Sequence, residues 1–122
     1  MRDVSKLVIG AFLEGRKRTI KNTSTDGQYL WLHGNRIAWR DEHGCIYMTM
    51  CGWPTVITRD RLNTLCHLLG SKLHFGQFRH EQYLVDHLGV SRKISANEVI
   101  LANPGVLTRH IDELERTGKI AA

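Results

Sequence analysis

A tight hairpin is the feature that most constrains the fold of this chain. Residues 28–33 and 36–40 have the composition and alternation of β-strands, and only two residues separate them. Those two residues, Gly34 and Asn35, tolerate the positive φ angles of a two-residue turn. This turn predicts one apolar face, with Leu32 opposite Ile37 and Leu30 opposite Trp39.

A third strand continues the same face. Residues 41–44 form a polar turn and lead into a strand-like run at residues 45–51. The expected pairs are Arg40 with Cys45, Trp39 with Ile46, and Ile37 with Met48. Two independent loop lengths therefore agree on a single core face, which a slip of one residue would destroy. The sequence predicts an antiparallel meander.

Three segments have the apolar spacing of amphipathic helices. The first runs from Asp3 or Ser5 to Gly15, and the second starts with Thr58 as its N-cap and ends at Gly70. The third, at residues 104–117, follows Asn103 as a C-terminal extension. We expect one α+β domain over residues 1–122, with an antiparallel β-sheet meander and about three packed α-helices.

The remaining segments are mostly strand and turn. Residues 16–21 resemble a short exposed strand, and residues 22–27 a polar turn. Residues 72–88 favour two strands that turn near residues 79–81, although the end of this segment also fits a short helix. Residues 89–102 are expected to form a loop with a short strand at 99–101.

The positive charge is concentrated in the first third of the chain. Residues 1–40 contain eight Lys and Arg residues against three Asp and Glu, whereas residues 41–122 contain nine of each sign. The whole excess of +5 therefore lies in residues 1–40. A localised positive field attracts phosphate or an acidic protein surface, and the alternative is that it serves only solubility.

Several classes of protein are disfavoured by the sequence. Cys45, Cys51 and Cys66 lack paired metal-ligand spacing, so we expect no metal, no disulfide framework and a reduced cytosolic compartment. The longest apolar run, residues 7–13, is too short to span a membrane. No nucleophile, base and orienting residue are grouped in a known motif. We therefore expect no catalytic residues and no cofactor.

The second face of the meander is the best candidate for a site. It combines the aromatic residues Tyr29, Trp31 and Tyr47 with Arg36, Arg40 and His33 at its rim. The strand before it adds Arg16, Lys17, Arg18 and Lys21. Aromatic and cationic residues interleaved on a sheet are typical of nucleic-acid binding, and also of protein interfaces. A third interpretation is that helices cover both faces and these aromatic residues form a second core layer.

Two blocks of sequence carry a family resemblance. The first is TDG at residues 25–27 with LWLHGNRIA at residues 30–38, and the second is GWPT at residues 52–55 with TRDRLN at residues 58–63. The chain, over about residues 4–88, resembles a group of small uncharacterised bacteriophage and prophage proteins. The resemblance implies a phage origin and a site of action in the cytoplasm of the bacterial host.

Turn, core and capping roles account for most of these motif residues, but not for three polar residues of the second block. Arg59 and Asn63 share one face of the second predicted helix, where they are candidates for binding phosphate or an acidic surface. The alternative is structural, through a salt bridge to Asp60 or a bond to a sheet-edge carbonyl. Arg61 is open to the same two interpretations.

The leading hypothesis is a small, non-enzymatic phage accessory protein that acts by binding nucleic acid or a host protein–nucleic-acid complex. The alternative is an anti-defence or host-takeover inhibitor that binds a single bacterial protein. A third hypothesis is an unrecognised enzyme acting on nucleotides. None of these involves a membrane.

Overall fold

The computed structural model describes residues 3–103, which form two helices and nine strands. In chain order these are α1 (Asp3–Leu13), β1 (Arg18–Ile20), β2 (Thr23–Thr25), β3 (Tyr29–Leu32), β4 (Asn35–Arg40), β5 (Ile46–Met48), α2 (Val56–Leu69), β6 (His74–Phe78), β7 (Glu81–Val85), β8 (Ser91–Ile94) and β9 (Ile100–Leu101). The α+β class is confirmed. The described part contains two helices rather than about three, and the predicted helix at residues 104–117 lies outside it.

The larger sheet contains six antiparallel strands in the order β1-β2-β3-β4-β5-β9. The first five follow the chain, as the predicted meander requires. The predicted short strand near residues 99–101 exists as β9 and pairs with β5 at the far edge. Strand β2 lies between β1 and β3, where the sequence predicted only a polar turn.

The register of the central hairpin differs from the prediction. The turn residues are His33 and Gly34, with φ angles of 51° and 80°, so Leu32 pairs with Asn35. Trp31 then pairs with Arg36, but Leu30 pairs with Ala38, which leaves one extra residue in β4. This is a β-bulge, and Ile37 and Ala38 are consequently both buried.

The bulge exchanges the faces of the last two residues of β4. Trp39 pairs with Tyr29 on one side and Tyr47 on the other, so it lies on the face away from the core. Arg40 pairs with Ile46 and lies on the core side. The predicted pairs of Trp39 with Ile46 and Ile37 with Met48 were therefore wrong. These β4–β5 pairs, and that of Arg40 with Cys45, were wrong because five residues and not four separate the paired Arg40 and Ile46. The predicted β3–β4 pairs of Leu30 with Trp39 and Leu32 with Ile37 were wrong because the turn begins at His33 and the bulge adds one residue to β4.

Both helices pack on the inner face of the larger sheet. Val8, Ile9 and Phe12 of α1 and the apolar stripe of α2 join the buried strand residues in one core. Helix α2 begins earlier than predicted, because Thr55 and not Thr58 is its N-cap: the Thr55 hydroxyl accepts a hydrogen bond from the Thr58 N–H at 3.1 Å. It ends at Gly70 in the left-handed conformation, as predicted.

A second, three-stranded antiparallel sheet has the order β6-β7-β8. The predicted turn near residues 79–81 is a two-residue turn at Arg79 and His80, both with positive φ. Phe75, Leu84 and Ile94 attach this sheet to the common core. Strand β8, SRKI, was missed because three of its four residues are polar and exposed.

Candidate functional site

Four aromatic residues form a continuous surface on the outer face of the larger sheet, and we call Tyr29, Trp31, Trp39 and Tyr47 the outer aromatic face. Tyr29, Trp39 and Tyr47 are direct neighbours across three strands. The ring centroids are 5.8 Å apart for Tyr29 and Trp31, and 5.9 Å for Trp39 and Tyr47. All four side chains are half-buried, since each ring rests against its neighbours and remains partly open to solvent.

Arg36 is the cation of this surface. It is exposed, it pairs with Trp31 across the hairpin, and its guanidinium carbon lies 4.5 Å from the centre of the Tyr29 ring. A guanidinium stacked in this way keeps most of its hydrogen-bond donors available. The predicted association of Arg36 with Tyr29 and Trp31 is therefore present in the structure.

Trp39 belongs to the same surface although the sequence assigned it to the core. Its indole stacks on the Tyr47 ring with an interplanar angle of 26°. The β-bulge at Ile37 explains the error, because simple alternation from Leu30 and Leu32 puts Trp39 on the inner side. The unusual run of Ile37, Ala38 and Trp39, three apolar residues in succession, is the only sequence signal that indicated a break in alternation.

The hydroxyl of Tyr47 fixes the end of this surface. It donates a hydrogen bond to Asp41 Oδ2 at 3.1 Å, and this bond raises the pKa of Tyr47 above its ordinary value. Burial opposes ionisation of Asp41, but hydrogen bonds from the His43 and Cys45 amides and from Tyr47 outweigh it and leave the Asp41 pKa lowered. The Tyr47 ring is therefore held in position by a carboxylate in the turn before β5.

The predicted basic segment lies at the edge of the sheet, two strands away from β3. Arg16, Lys17, Arg18 and Lys21 are all exposed. Arg16 forms a salt bridge with Glu14 at 2.7 Å. Lys17 acts on Asp26: the pKa of Asp26 is lowered mainly by backbone hydrogen bonds and to a smaller extent by the charge of Lys17. Within residues 3–103, Arg18 and Lys21 make no salt bridge. Because strands are about 4.8 Å apart, this edge lies about 10 Å from Trp31.

Arg40 has a structural position instead of the predicted place at the rim. Its guanidinium donates to the carbonyl oxygens of Gly27 at 2.6 Å and Phe12 at 3.0 Å, and lies over the Phe12 ring. It thus binds the carboxyl end of α1, where orphan carbonyls and the helix dipole favour a cation. Its donors are directed into the protein.

Arg59 and Asn63 also serve the fold. One Arg59 nitrogen donates to the side-chain oxygens of Gln77 and Gln82 at 3.0 and 2.9 Å. Asn63 donates to the Phe75 carbonyl and accepts from the Phe75 N–H, at 3.0 and 2.7 Å. These contacts attach α2 to β6, and the bond from Asn63 is the sheet-edge bond that the sequence left as an alternative.

Arg61 is the most buried of the charged residues in this region, with 3% of its surface exposed. It forms a salt bridge with Asp60 at 2.7 Å and donates to the hydroxyls of Ser5 and Thr23 at 2.6 and 2.9 Å. Ser5 also donates to Asp60. This network joins α1, α2 and β2, and it explains why β2 can be buried although its sequence, TST, is polar.

The two buried thiols, Cys45 and Cys66, are held in the protonated form. Burial raises the pKa of Cys66 to about 12, and burial followed by the charge of Asp41 raises that of Cys45. Among the described residues, no group of three His, Cys, Asp or Glu side chains is arranged to hold a metal ion. Neither α1 nor α2 is long and apolar enough to cross a membrane.

Comparison with known proteins identifies the family. The family model described as "Kyanoviridae Gp96 protein" matches residues 1–100 of the 122. No curated protein and no solved structure matches the chain. The matched region includes both sequence blocks of the predicted resemblance to phage proteins, which is thereby confirmed. The chain belongs to the Kyanoviridae Gp96 protein family, a phage protein family of unknown function.

Proposed function

We propose that this protein is a non-enzymatic phage accessory protein that binds single-stranded nucleic acid in the cytoplasm of the bacterial host. One observation carries the proposal: the outer aromatic face presents four aromatic rings beside the stacked guanidinium of Arg36. Each exposed ring is a platform for an unstacked base, and such stacking contributes about 1–3 kcal/mol per base.

The cations at the edge of the sheet supply the second half of the interface. Bases that stack on Trp31 and Trp39 leave the sugar–phosphate backbone to one side, toward β1. Arg18 pairs with Thr25, which pairs with Leu30, so Arg18 lies on the core side of the sheet and is not part of this interface. Lys17 and Lys21, which flank β1 and are exposed, are the cations proposed to reach the backbone. Arg40, Arg59 and Asn63 are not part of the proposed interface, because their polar groups already bind within the protein. Lys17, Lys21 and Arg36 remain as the candidate phosphate contacts.

A flat aromatic face favours single strands over duplexes. In a duplex the bases are stacked on one another, and only phosphates and groove edges are accessible. We therefore expect short single-stranded oligonucleotides to bind more tightly than duplexes of the same length. The protein-inhibitor hypothesis predicts instead no affinity for either, because the same residues would then form a protein interface.

Fluorescence anisotropy with labelled oligonucleotides tests the proposal. Three phosphate contacts on a single strand predict a slope of about −2 for log K against log salt concentration. The double variant Lys17→Ala/Lys21→Ala should make the slope shallower by about 1.4. Lys6→Ala/Lys72→Ala is the matched control, because it removes two exposed cations outside the interface and should leave specific binding unchanged.

Two results would contradict the proposal. The first is no binding of single-stranded DNA or RNA at about 50 mM salt, where electrostatic contacts are strongest. The second is an equal loss of affinity in both double variants, which would indicate attraction by net charge and not by a defined surface. Loss or cleavage of the labelled oligonucleotide during the assay would indicate the enzymatic hypothesis.

A further inference from the structure

A cavity lies between the tip of the β3–β4 hairpin and the start of α2, and the outer aromatic face does not include it. Its volume is about 430 Å³, within the range of about 300–1,000 Å³ that is usual for small-molecule sites. The lining residues are Leu32, His33, Asn35, Ile37, Met50, Trp53, Thr55, Ile57 and Thr58. Seven of these nine belong to the two sequence blocks, which are distant in sequence and meet here.

The floor of the cavity is the protein core. Leu32, Ile37 and Met50 are each at most 4% exposed, so the cavity reaches down to residues that the rest of the fold has buried. Trp53, in contrast, is 58% exposed. A large indole left in solvent beside an apolar cavity provides a flat wall for a planar ligand.

Asn35 supplies the polar group that gives this cavity specificity. Its side chain is half-buried, and within residues 3–103 its carboxamide makes no hydrogen bond. The hydroxyls of Thr55 and Thr58 are, by comparison, engaged with each other at 2.9 Å in the cap of α2. The Asn35 carboxamide offers one acceptor and two donors in a plane, which matches the paired donor and acceptor edge of a nucleobase.

The residue types of the lining disfavour charged ligand groups inside the cavity. None of the nine lining residues is Asp, Glu, Lys or Arg. His33 is the one titratable residue of the lining, and it is exposed at the rim. A phosphate or carboxylate at the floor of the cavity would therefore have no permanently charged partner and would lose its hydration. The buried part of the ligand is therefore neutral, largely apolar and flat, with a hydrogen-bonding edge.

We propose that this cavity binds a single nucleobase, between the indole of Trp53 and the apolar floor, with its polar edge on the Asn35 carboxamide. The base comes from a free nucleoside or from one unstacked position of a bound strand. The site does not depend on the outer aromatic face, since Asn35 and Trp53 are not part of that surface.

A titration of the ¹⁵N-labelled protein with adenosine, guanosine, cytidine and uridine tests the site directly. We expect at least one nucleoside to shift the Asn35 side-chain amide and the Trp53 indole N–H signals in a saturable way. Asn35→Leu keeps the size of the side chain and removes the carboxamide, so affinity should fall about tenfold. Trp53→Ala should cause a similar loss without unfolding the protein, because the residue is mostly exposed.

Gln28→Leu is the matched control, because it removes an exposed carboxamide in the turn before β3 and should not change nucleoside affinity. The proposal is overturned if no nucleoside gives a saturable shift at concentrations up to about 10 mM, a Kd about tenfold weaker than a millimolar site. It is also overturned if toluene binds as tightly as the nucleosides and Asn35→Leu changes neither affinity, because the cavity would then recognise only apolar groups.

Oligonucleotides distinguish the two sources of the base and keep this site separate from the proposed interface. If Asn35→Leu weakens both nucleoside and oligonucleotide binding, the base belongs to a strand. If it weakens only nucleoside binding, the ligand is a free nucleoside. Trp31→Ala should weaken oligonucleotide binding and leave nucleoside binding unchanged. The proposal for the outer aromatic face and the proposal for the cavity can therefore be contradicted separately.

Discussion

The β3–β4 hairpin and helix α2 each carry an arginine whose role the sequence left open, and they use it in opposite ways. Arg36 of the hairpin is exposed and stacks on Tyr29. Arg61 of α2 is 3% exposed and bonds to Asp60, Ser5 and Thr23. The difference depends on the neighbouring groups. Arg61 lies beside a carboxylate and two hydroxyls that accept its hydrogen bonds, whereas Arg36 lies over the Tyr29 ring.

This contrast shows how an arginine can be assigned to the fold or to an interface. A buried guanidinium with all its partners inside the protein is needed for folding, and its removal leaves those partners unsatisfied. An exposed guanidinium over a ring contributes little to stability, and its donors remain free for a ligand. The predictions below test this division, starting with the largest expected effect.

Replacing Arg61 with Met should lower the free energy of unfolding by about 3–5 kcal/mol, because Asp60 would lose its charged partner inside the protein. Urea denaturation followed by circular dichroism measures this loss. Arg36→Met is the matched control and should change stability by less than about 0.5 kcal/mol. A loss below about 1 kcal/mol for Arg61→Met would contradict a structural role for the buried network.

Replacing Asn63 with Leu should destabilise the protein by about 1–3 kcal/mol, because both backbone groups of Phe75 lose their partner. The effect should be local to the junction of α2 and β6. Hydrogen exchange measured by NMR should therefore show faster exchange of the Phe75 amide, with the β3–β4 amides unchanged. Uniformly faster exchange throughout the chain would mean that the junction is not a separate unit of stability.

Replacing Trp31 with Ala should weaken single-stranded oligonucleotide binding by about tenfold, the loss of one stacked base. Anisotropy titrations at fixed salt measure the change. Phe78→Ala removes an exposed aromatic ring on the second sheet, outside both proposed sites, and is the control for a general loss of aromatic surface. If Trp31→Ala binds as well as the unmodified protein, the outer aromatic face is not the binding surface.

Replacing Arg36 with Ala should have the smallest effect, a loss of about threefold to tenfold in oligonucleotide affinity with the fold intact. The salt slope should become shallower by about one. Arg36→Lys separates charge from stacking, since lysine restores the phosphate contact but not the planar contact with Tyr29. An unchanged slope in Arg36→Ala would show that this cation does not contact phosphate.

The sequence predicted which segments of the larger sheet are strands better than it predicted the side of the sheet on which their side chains lie. Strands β3, β4 and β5 have strong apolar alternation, so their existence followed from the pattern. The faces of Trp39 and Arg40 did not, because the bulge at Ile37 depends on packing that alternation does not encode. Strand β2 was missed for a related reason. Its buried threonines are compatible with the core because Arg61 donates to the Thr23 hydroxyl and the Thr25 hydroxyl donates to the Tyr29 carbonyl.

The candidate site divides in the same way. Tyr29, Trp31 and Arg36 lie together as predicted, because all three follow from strand alternation close to the turn. Tyr47 lies on the predicted face, but its neighbour is Trp39 and not the residue that the predicted register gave. Arg40, Arg59 and Asn63 were singled out for their charge or polarity, and their partners are distant in sequence. The cavity was not predicted at all, since it forms where the two sequence blocks meet in space.

The bulge in β4 also affects which single-residue deletions the fold can accept. Ile37 is an extra residue, so deleting its codon would leave Leu32 opposite Asn35, Trp31 opposite Arg36 and Leu30 opposite Ala38. A single-codon deletion inside a strand normally reverses every side chain beyond it. Here it would yield a regular hairpin with the same β3–β4 pairing, and it would remove one buried side chain and the hydrogen bond that the Ile37 carbonyl accepts from the Thr49 N–H. Insertions and deletions in this family are therefore expected inside β4 at this position as well as in its loops.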